Sequence, residues 1–144
     1  MVDFIIIVPE LQIYYKHRRE MEFKIDTKDT FTIIMPLNAA IDAKLTGGLL
    51  EKCRNIRQSG SVNFIIDFTD CNEMYKNASP GLLQLHEESY AGEQSLIYTG
   101  INKQAVAILK EDETDLLINI APSIKEAIDI ISMEILERDL YSEE

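Results

Sequence analysis

Two histidines in 144 residues leave little material for acid–base catalysis at neutral pH. Cysteine is as scarce, with Cys53 and Cys71 alone. Neither has a histidine at metal-ligand spacing, so no metal is expected, and in a reducing cytosol free thiols are favoured over a disulfide. Basic residues are outnumbered, 14 against 25 acidic, giving a net charge of −11. Nucleic acid and direct membrane insertion are therefore not expected, since anionic partners need clustered Lys and Arg. His17, Arg18 and Arg19 form the one dense basic patch and read as solvated surface. Long hydrophobic runs are missing too. Phe4–Val8 (FIIIV) falls far short of the roughly 20 residues a membrane span needs, and no basic segment precedes it as in a secretory leader. The expectation is a cytoplasmic protein. No G-x-x-x-x-G-K-[ST], G-x-G-x-x-G, G-x-S-x-G or H-E-x-x-H pattern occurs, so the chain reads as a non-enzyme without a cofactor.

What is present is the patterning of one α/β domain. Hydrophobic residues make up 46% of the chain and charged residues 27%, as in a globular protein with an ordinary core. Gly60–Leu82, GSVNFIIDFTDCNEMYKNASPGL, organises the rest. Val62, Phe64, Ile65, Ile66 and Phe68 form a nearly continuous apolar run, as in a central strand covered on both faces. A polar loop follows from Asp67 and Thr69, and Ser79-Pro80 predicts a helix start with Ser79 as N-cap and Pro80 at the first helical position. The carboxyl ends of strands are where α/β sheets gather function, which directs attention to this loop.

Ahead of it, Glu22–Ile25 and Thr30–Met35 predict a hairpin turned by residues 26–29. Asp42 is placed to cap a first helix carrying Leu45, Leu49, Leu50, Cys53 and Ile56, stopped by Gly60. Gly47 and Gly48 weaken that helix unless they permit close packing. Leu82, Leu83, Leu85, His86 and Tyr90 predict a second helix, and residues 95–99 a strand closed by Gly100. Asn102 caps a third helix, Leu116–Ile120 reads as a last strand, and Ser123 with Glu126 forms a capping box for a final helix. The sum is a mixed sheet of four to five strands with four helices. Residues 1–20 read as an N-terminal extension, or as upstream sequence translated from a misassigned start, ahead of a domain over 21–144. Within them, Phe4–Val8 and the alternating Leu11, Ile13 and Tyr15 are strand-like; a genuine extra edge element is the alternative.

The order of elements and several short motifs resemble the STAS family, the anti-sigma-factor antagonists and their relatives. The resemblance covers roughly residues 21–136. In that family a strand ending in D-[FL]-[ST] leads to D-S-S-G-L at a helix start. Here Asp67, Phe68 and Thr69 match the first motif, and Ser79, Pro80, Gly81 and Leu82 stand where S-S-G-L would be. Ile41 and Asp42 are similar to the family's [LI]-D pair, and APSIKEAI to its P-S-x-x-E-A helix start. The resemblance implies an interaction domain whose surface here is Asn77, Ser79, Leu82, Leu83, His86 and Tyr90, with Asp42, Asp67 and Thr69 as neighbouring loop residues. The implied partner is an anti-sigma factor or kinase, or another STAS protein, and a homodimer is left open. Family switches are phosphorylated on the second hydroxyl residue of D-S-S-G-L. That position is Pro80, the preceding Asp is Ala78, and the loop is longer over Cys71–Asn77. Ser79 stays a candidate phosphosite only if the alignment slips by one; a plain helix-start serine is the favoured reading. An accessory subunit of a lipid ABC transport complex is the alternative function, and nucleotide binding a third that no glycine-rich loop supports.

Overall fold

The computed structural model describes residues 21–142, and before them the backbone of two strands, β1 (Phe4–Val8) and β2 (Gln12–Lys16). These two pair antiparallel with each other in a sheet of their own. The basic patch at residues 17–19 lies outside the described residues.

The domain proper is a four-stranded mixed sheet in the order β3 (Phe23–Thr27), β4 (Thr32–Pro36), β6 (Phe64–Asp67), β8 (Leu96–Thr99). The hairpin β3–β4 is antiparallel, and β4, β6 and β8 run parallel. Register lays Ile33, Ile65 and Ile97 in one row across the sheet, and Ile34, Ile66 and Tyr98 in the next. Alternate residues of a strand point to opposite faces, so the two rows serve two cores. That is why β6 reads as an unbroken apolar run: all four of its residues are buried.

The Ile34–Ile66–Tyr98 face packs under α1 (Ala43–Gln58), α2 (Ser79–Ala91) and α3 (Lys103–Glu111), through Leu45, Leu49, Cys53, Leu82, Leu85, Ala105 and Leu109. The Ile65–Ile97 face is covered by α4 (Ile124–Ser142), through Ala127 and Ile131. Gly48 does permit close packing: a β-carbon there would meet the Met21 side chain, whereas Gly47 faces open space.

Three local features depart from expectation. The strand foreseen at Leu116–Ile120 shrinks to one bridge, Ile120 with Tyr98. Asp112 bonds the Thr114 N–H and hydroxyl, Glu113 takes a left-handed φ of 61°, and a 3-10 turn occupies Thr114–Leu116 instead. Second, Ala78 rather than Ser79 is the N-cap of α2, because a 3-10 turn over Lys76–Ala78 runs directly into the helix. Third, the loops after β4 and β6 each contain a two-residue strand, β5 (Ala40–Ile41) and β7 (Glu73–Met74), which pair in parallel.

Candidate interaction surface

The loops after β4, β6 and β8 emerge at one end of the sheet, and the chain ties them together tightly. Asp67 begins the arrangement. Its Oδ1 accepts from the Thr69 N–H at 3.0 Å and the Thr69 hydroxyl at 2.5 Å, so this buried carboxylate is committed to shaping the loop. Gly100, with φ +73°, passes so close that a β-carbon would strike both Asp67 and Thr69.

The long segment after Thr69 is held from two sides. Toward the β4 loop, the Asn72 N–H donates to Ala39 C=O (2.7 Å) and the Tyr75 N–H to Ile41 C=O (2.9 Å). Toward α3, Gln104 acts as a side-chain stand-in for a neighbouring strand. Its Oε1 accepts from the Met74 N–H at 2.8 Å and its Nε2 donates to Met74 C=O at 3.0 Å. Asn102 caps α3 by accepting from the Ala105 N–H, and with its amide nitrogen reaches Asn72 C=O at 2.8 Å. Cys71 and Met74 anchor the loop from below, buried in the main core.

Asn77 and Asp42 meet at the start of α1. Asp42 Oδ1 accepts from the Leu45 N–H (2.8 Å), and Asn77 Oδ1 from the Ala43 N–H (3.1 Å). Two of the helix's otherwise orphaned donors are thereby satisfied, one by the expected cap and one from across the rim.

Ser79 lies under this surface rather than on it. It is 3% exposed, and its hydroxyl has no hydrogen-bond partner of good geometry. The group it faces is Asp112, at the end of α3. The Thr114 hydroxyl holds the Asp112 carboxyl below the usual carboxylate range, against an opposing effect of burial that outweighs the lesser help of the nearby Ser79 hydroxyl. A negative charge thus already sits beside the N-terminus of α2, where backbone N–H groups favour an anion. Pro80, exposed at the next position, supplies neither a hydroxyl nor an N–H.

The solvent side of the rim carries Leu37, Tyr75 (49% exposed), Asn77 and Pro80; Leu116 and Leu117 stand exposed off the rim, on the turn after α3 that precedes the Ile120–Tyr98 bridge. Tyr75 donates to Glu73 at 3.0 Å, and Lys76 pairs with Glu111 at 2.9 Å, an exposed pair of little energetic weight.

The remaining residues singled out on α2 lie elsewhere. Leu82 is fully buried and gives its C=O to the Tyr98 hydroxyl; Leu83 is half-buried. The His86 and Tyr90 rings are in contact, tilted by 35° with centroids 4.6 Å apart. Tyr90 is about 16 Å from Ser79 along the helix axis. There the Tyr90 hydroxyl donates to Glu134 (2.7 Å) and accepts from the Asn119 amide (2.7 Å), while Ser95 links Glu134 to Arg138. Burial and the Glu134 hydrogen bond push the Tyr90 hydroxyl up to about 12. This network joins α2, β8 and α4. Asn77 and Ser79 therefore share the rim with Asp42, Asp67 and Thr69, and His86 and Tyr90 do not. Gln104 and Asp112, which shape the rim, carry no sequence signal that would have revealed them.

Both thiols are free and buried, and burial pushes Cys53 up to about 12 and Cys71 up to about 11, so neither is a ready nucleophile. Among the described residues no group of His, Cys, Asp and Glu is arranged to hold a metal, and no helix is long and apolar enough to cross a membrane.

No protein-family model matches the chain, and no characterised protein matches it in sequence. Solved structures do match it in shape: the chain has the STAS fold, the α/β fold of anti-sigma-factor antagonists. The Thermotoga maritima protein TM1081 superposes with a TM-score of 0.66 at 14% identity, over 81% of this chain and 93% of that one. A variant of RsbS from Moorella thermoacetica gives 0.64 at 17% identity, over 81% and 97%. The anti-sigma factor antagonist SpoIIAA in its unphosphorylated form gives 0.60 at 16% identity, over 77% and 96%.

Proposed function

We infer that this protein is a non-enzymatic interaction domain of the anti-sigma-factor-antagonist kind, which docks a protein partner on the rim formed by the loops after β4, β6 and β8. The fold supports the general kind. The rim supports the mode: apolar Leu37 and Tyr75 stand exposed on loops that extensive hydrogen bonding holds in one shape. A preorganised surface with aromatic and aliphatic anchors is what a protein partner requires.

The domain works without a phosphoserine switch. The observation that carries this is Ser79, buried, followed by Pro80 and faced by Asp112. A kinase has no hydroxyl to reach there, and a phosphate would be forced against a carboxylate.

The test is affinity purification of the full chain from its source cell, with and without Tyr75→Ala and Leu37→Asp, followed by mass spectrometry of prey and bait. An anti-sigma factor, a kinase or another STAS protein captured by the wild type and lost from the rim variants, with no phosphate on Ser79, is the expected result. Phosphate on Ser79 would overturn the switch-free reading, and capture indifferent to both variants would overturn the rim. Permease and ATPase subunits in the prey would move the protein to a transport complex instead.

A further inference from the structure

We propose that the free edge of the sheet is a homodimer interface, in which β3 pairs antiparallel with β3 of a second copy about a two-fold axis at Ile25. Among the described residues β3 is bonded to β4 alone, so one side of it is an open edge. Backbone parity says which groups are open. The Leu37 N–H donates to Glu22 C=O (2.9 Å) and the Lys28 N–H to Phe31 C=O (2.8 Å), so the even-numbered residues turn inward to β4. Phe23, Ile25 and Thr27 then turn their N–H and C=O groups outward. An axis at Ile25 lets Ile25 exchange both hydrogen bonds with its own copy, and Phe23 exchange both with Thr27 of the second copy.

The same register solves the side chains. Even-numbered Glu22, Lys24, Asp26 and Lys28 share one face of the strand. About Ile25, Glu22 stands opposite Lys28 of the second copy and Lys24 opposite Asp26, and each pair recurs by symmetry. An axis moved one residue, to Lys24 or Asp26, sets lysine on lysine or aspartate on aspartate, and opposed like charges are unfavourable. Charges on an edge strand ordinarily guard it against pairing. Here they guard it against these shifted registers and favour one. On the other face Ile25, 40% exposed, would meet its own copy, and half-buried Phe23 would meet Thr27.

Charge on the single chain is consistent with this. Lys28 lies 3.1 Å from Asp26 in an exposed pair, and Lys24 has no ion-pair partner among the described residues. Glu22 and Asp26 are balanced by Lys24 and Lys28, so this stretch is locally neutral in a chain of net charge −11. A pattern that inverts its sign on reversal is met best by a copy of itself across a two-fold axis. The edge lies to the side of the rim, so this pairing leaves the proposed docking loops uncovered.

The test is sedimentation of the full chain up to about 1 mM, a concentration that populates even millimolar association. A mass of two chains is expected, falling to 16.5 kDa on dilution. The double variant Lys24→Glu with Lys28→Glu and the double variant Glu22→Lys with Asp26→Lys should each stay monomeric with an unchanged circular dichroism spectrum. Mixed in equal amounts, they should form a heterodimer. A wild-type chain that remains monomeric throughout, single-sign variants that dimerise as the wild type does, or a mixture that fails to pair would each overturn the interface. Should a charge variant misfold, Ile25→Cys decides. Both native cysteines are buried, and the hydrogen-bonded pair on the axis has Cα atoms about 5.5 Å apart, within disulfide range. Oxidation must give a covalent dimer, and its absence would overturn the register.

Discussion

Gly81, in the first turn of α2, lies directly against Thr46 of α1: a β-carbon at Gly81 would run into the Thr46 side chain, Oγ1 foremost. Thr46 cannot retreat, because it is 2% exposed and its hydroxyl donates to Ala43 C=O at 3.1 Å. The two helices therefore approach as closely as they do only because residue 81 has no side chain. Gly81→Ala adds intrinsic helix propensity but wedges α1 from α2, and overpacking of this kind costs about 1–3 kcal/mol. Urea unfolding should show a lowered midpoint with little change in slope. Pairing it with Thr46→Ala should recover part of the loss. A single variant as stable as the wild type would mean that the helices are not in this contact.

Ser79 should answer to substitution as a buried group, not as a surface switch. Its hydroxyl is enclosed and has no hydrogen-bond partner of good geometry, with only a minor influence on Asp112, so Ser79→Ala should be close to neutral. Ser79→Asp places a second carboxylate beside Asp112 in an enclosed position and should destabilise the fold by about 1–3 kcal/mol despite the helix dipole. Thermal unfolding of the two variants checks it. An aspartate variant as stable as the wild type would show that the position can open to solvent.

His86 gives the fold a dependence on pH near neutrality. Burial holds its imidazole below the ordinary histidine value, against the opposing influence of the Glu87 and Glu134 carboxylates. The neutral ring is therefore favoured in the folded state. As pH falls through about 6.5, the unfolded chain takes up this proton first. Stability falls over that interval and levels off once the folded ring is also protonated. His86→Gln should remove this component, so that urea midpoints measured at about pH 7.5 and about pH 5.5 lie closer together than in the wild type. An equal separation in both proteins would remove His86 from the account.

How legible the molecule was depends on the range over which each feature is encoded. Helix caps at Asp42 and Asn102, the stop at Gly60 and the apolar run Phe64–Ile66 are local, and pattern and spacing were enough to read them. Gly81 was legible only as a letter of the SPGL motif; the reason for a glycine there is Thr46, 35 positions earlier. Leu116 and Leu117 show how local pattern misleads. Their apolar run reads as a strand, but hydrogen bonds from Thr114 to Asp112 turn the chain before one can form. The rim is the least legible part. Gln104 on a polar helix face and Met74 in a loop look unremarkable apart, and their pairing depends on a tertiary arrangement that no local pattern records.

That pairing leads to the prediction on which the rim reading rests most directly. Gln104 satisfies both backbone groups of Met74, and together with the β5 pairing it fixes the chain just before Tyr75 and Asn77. Gln104→Ala leaves Ala105 and Leu109, the buried positions of α3, untouched, so the global loss should be modest, about 1 kcal/mol. Local order should suffer more. The Met74 amide would keep no side-chain acceptor, and its hydrogen exchange should accelerate well beyond that of β6, whose pairings with β4 and β8 are unaffected. If the rim works by being held in one shape, partner capture should weaken in this variant although Gln104 need not touch the partner, because the ordering cost shifts to the binding step. Glu, which keeps an acceptor for the N–H but loses the donor to Met74 C=O, should fall between. Fast exchange at Met74 with full partner capture would separate the order of the loop from its function.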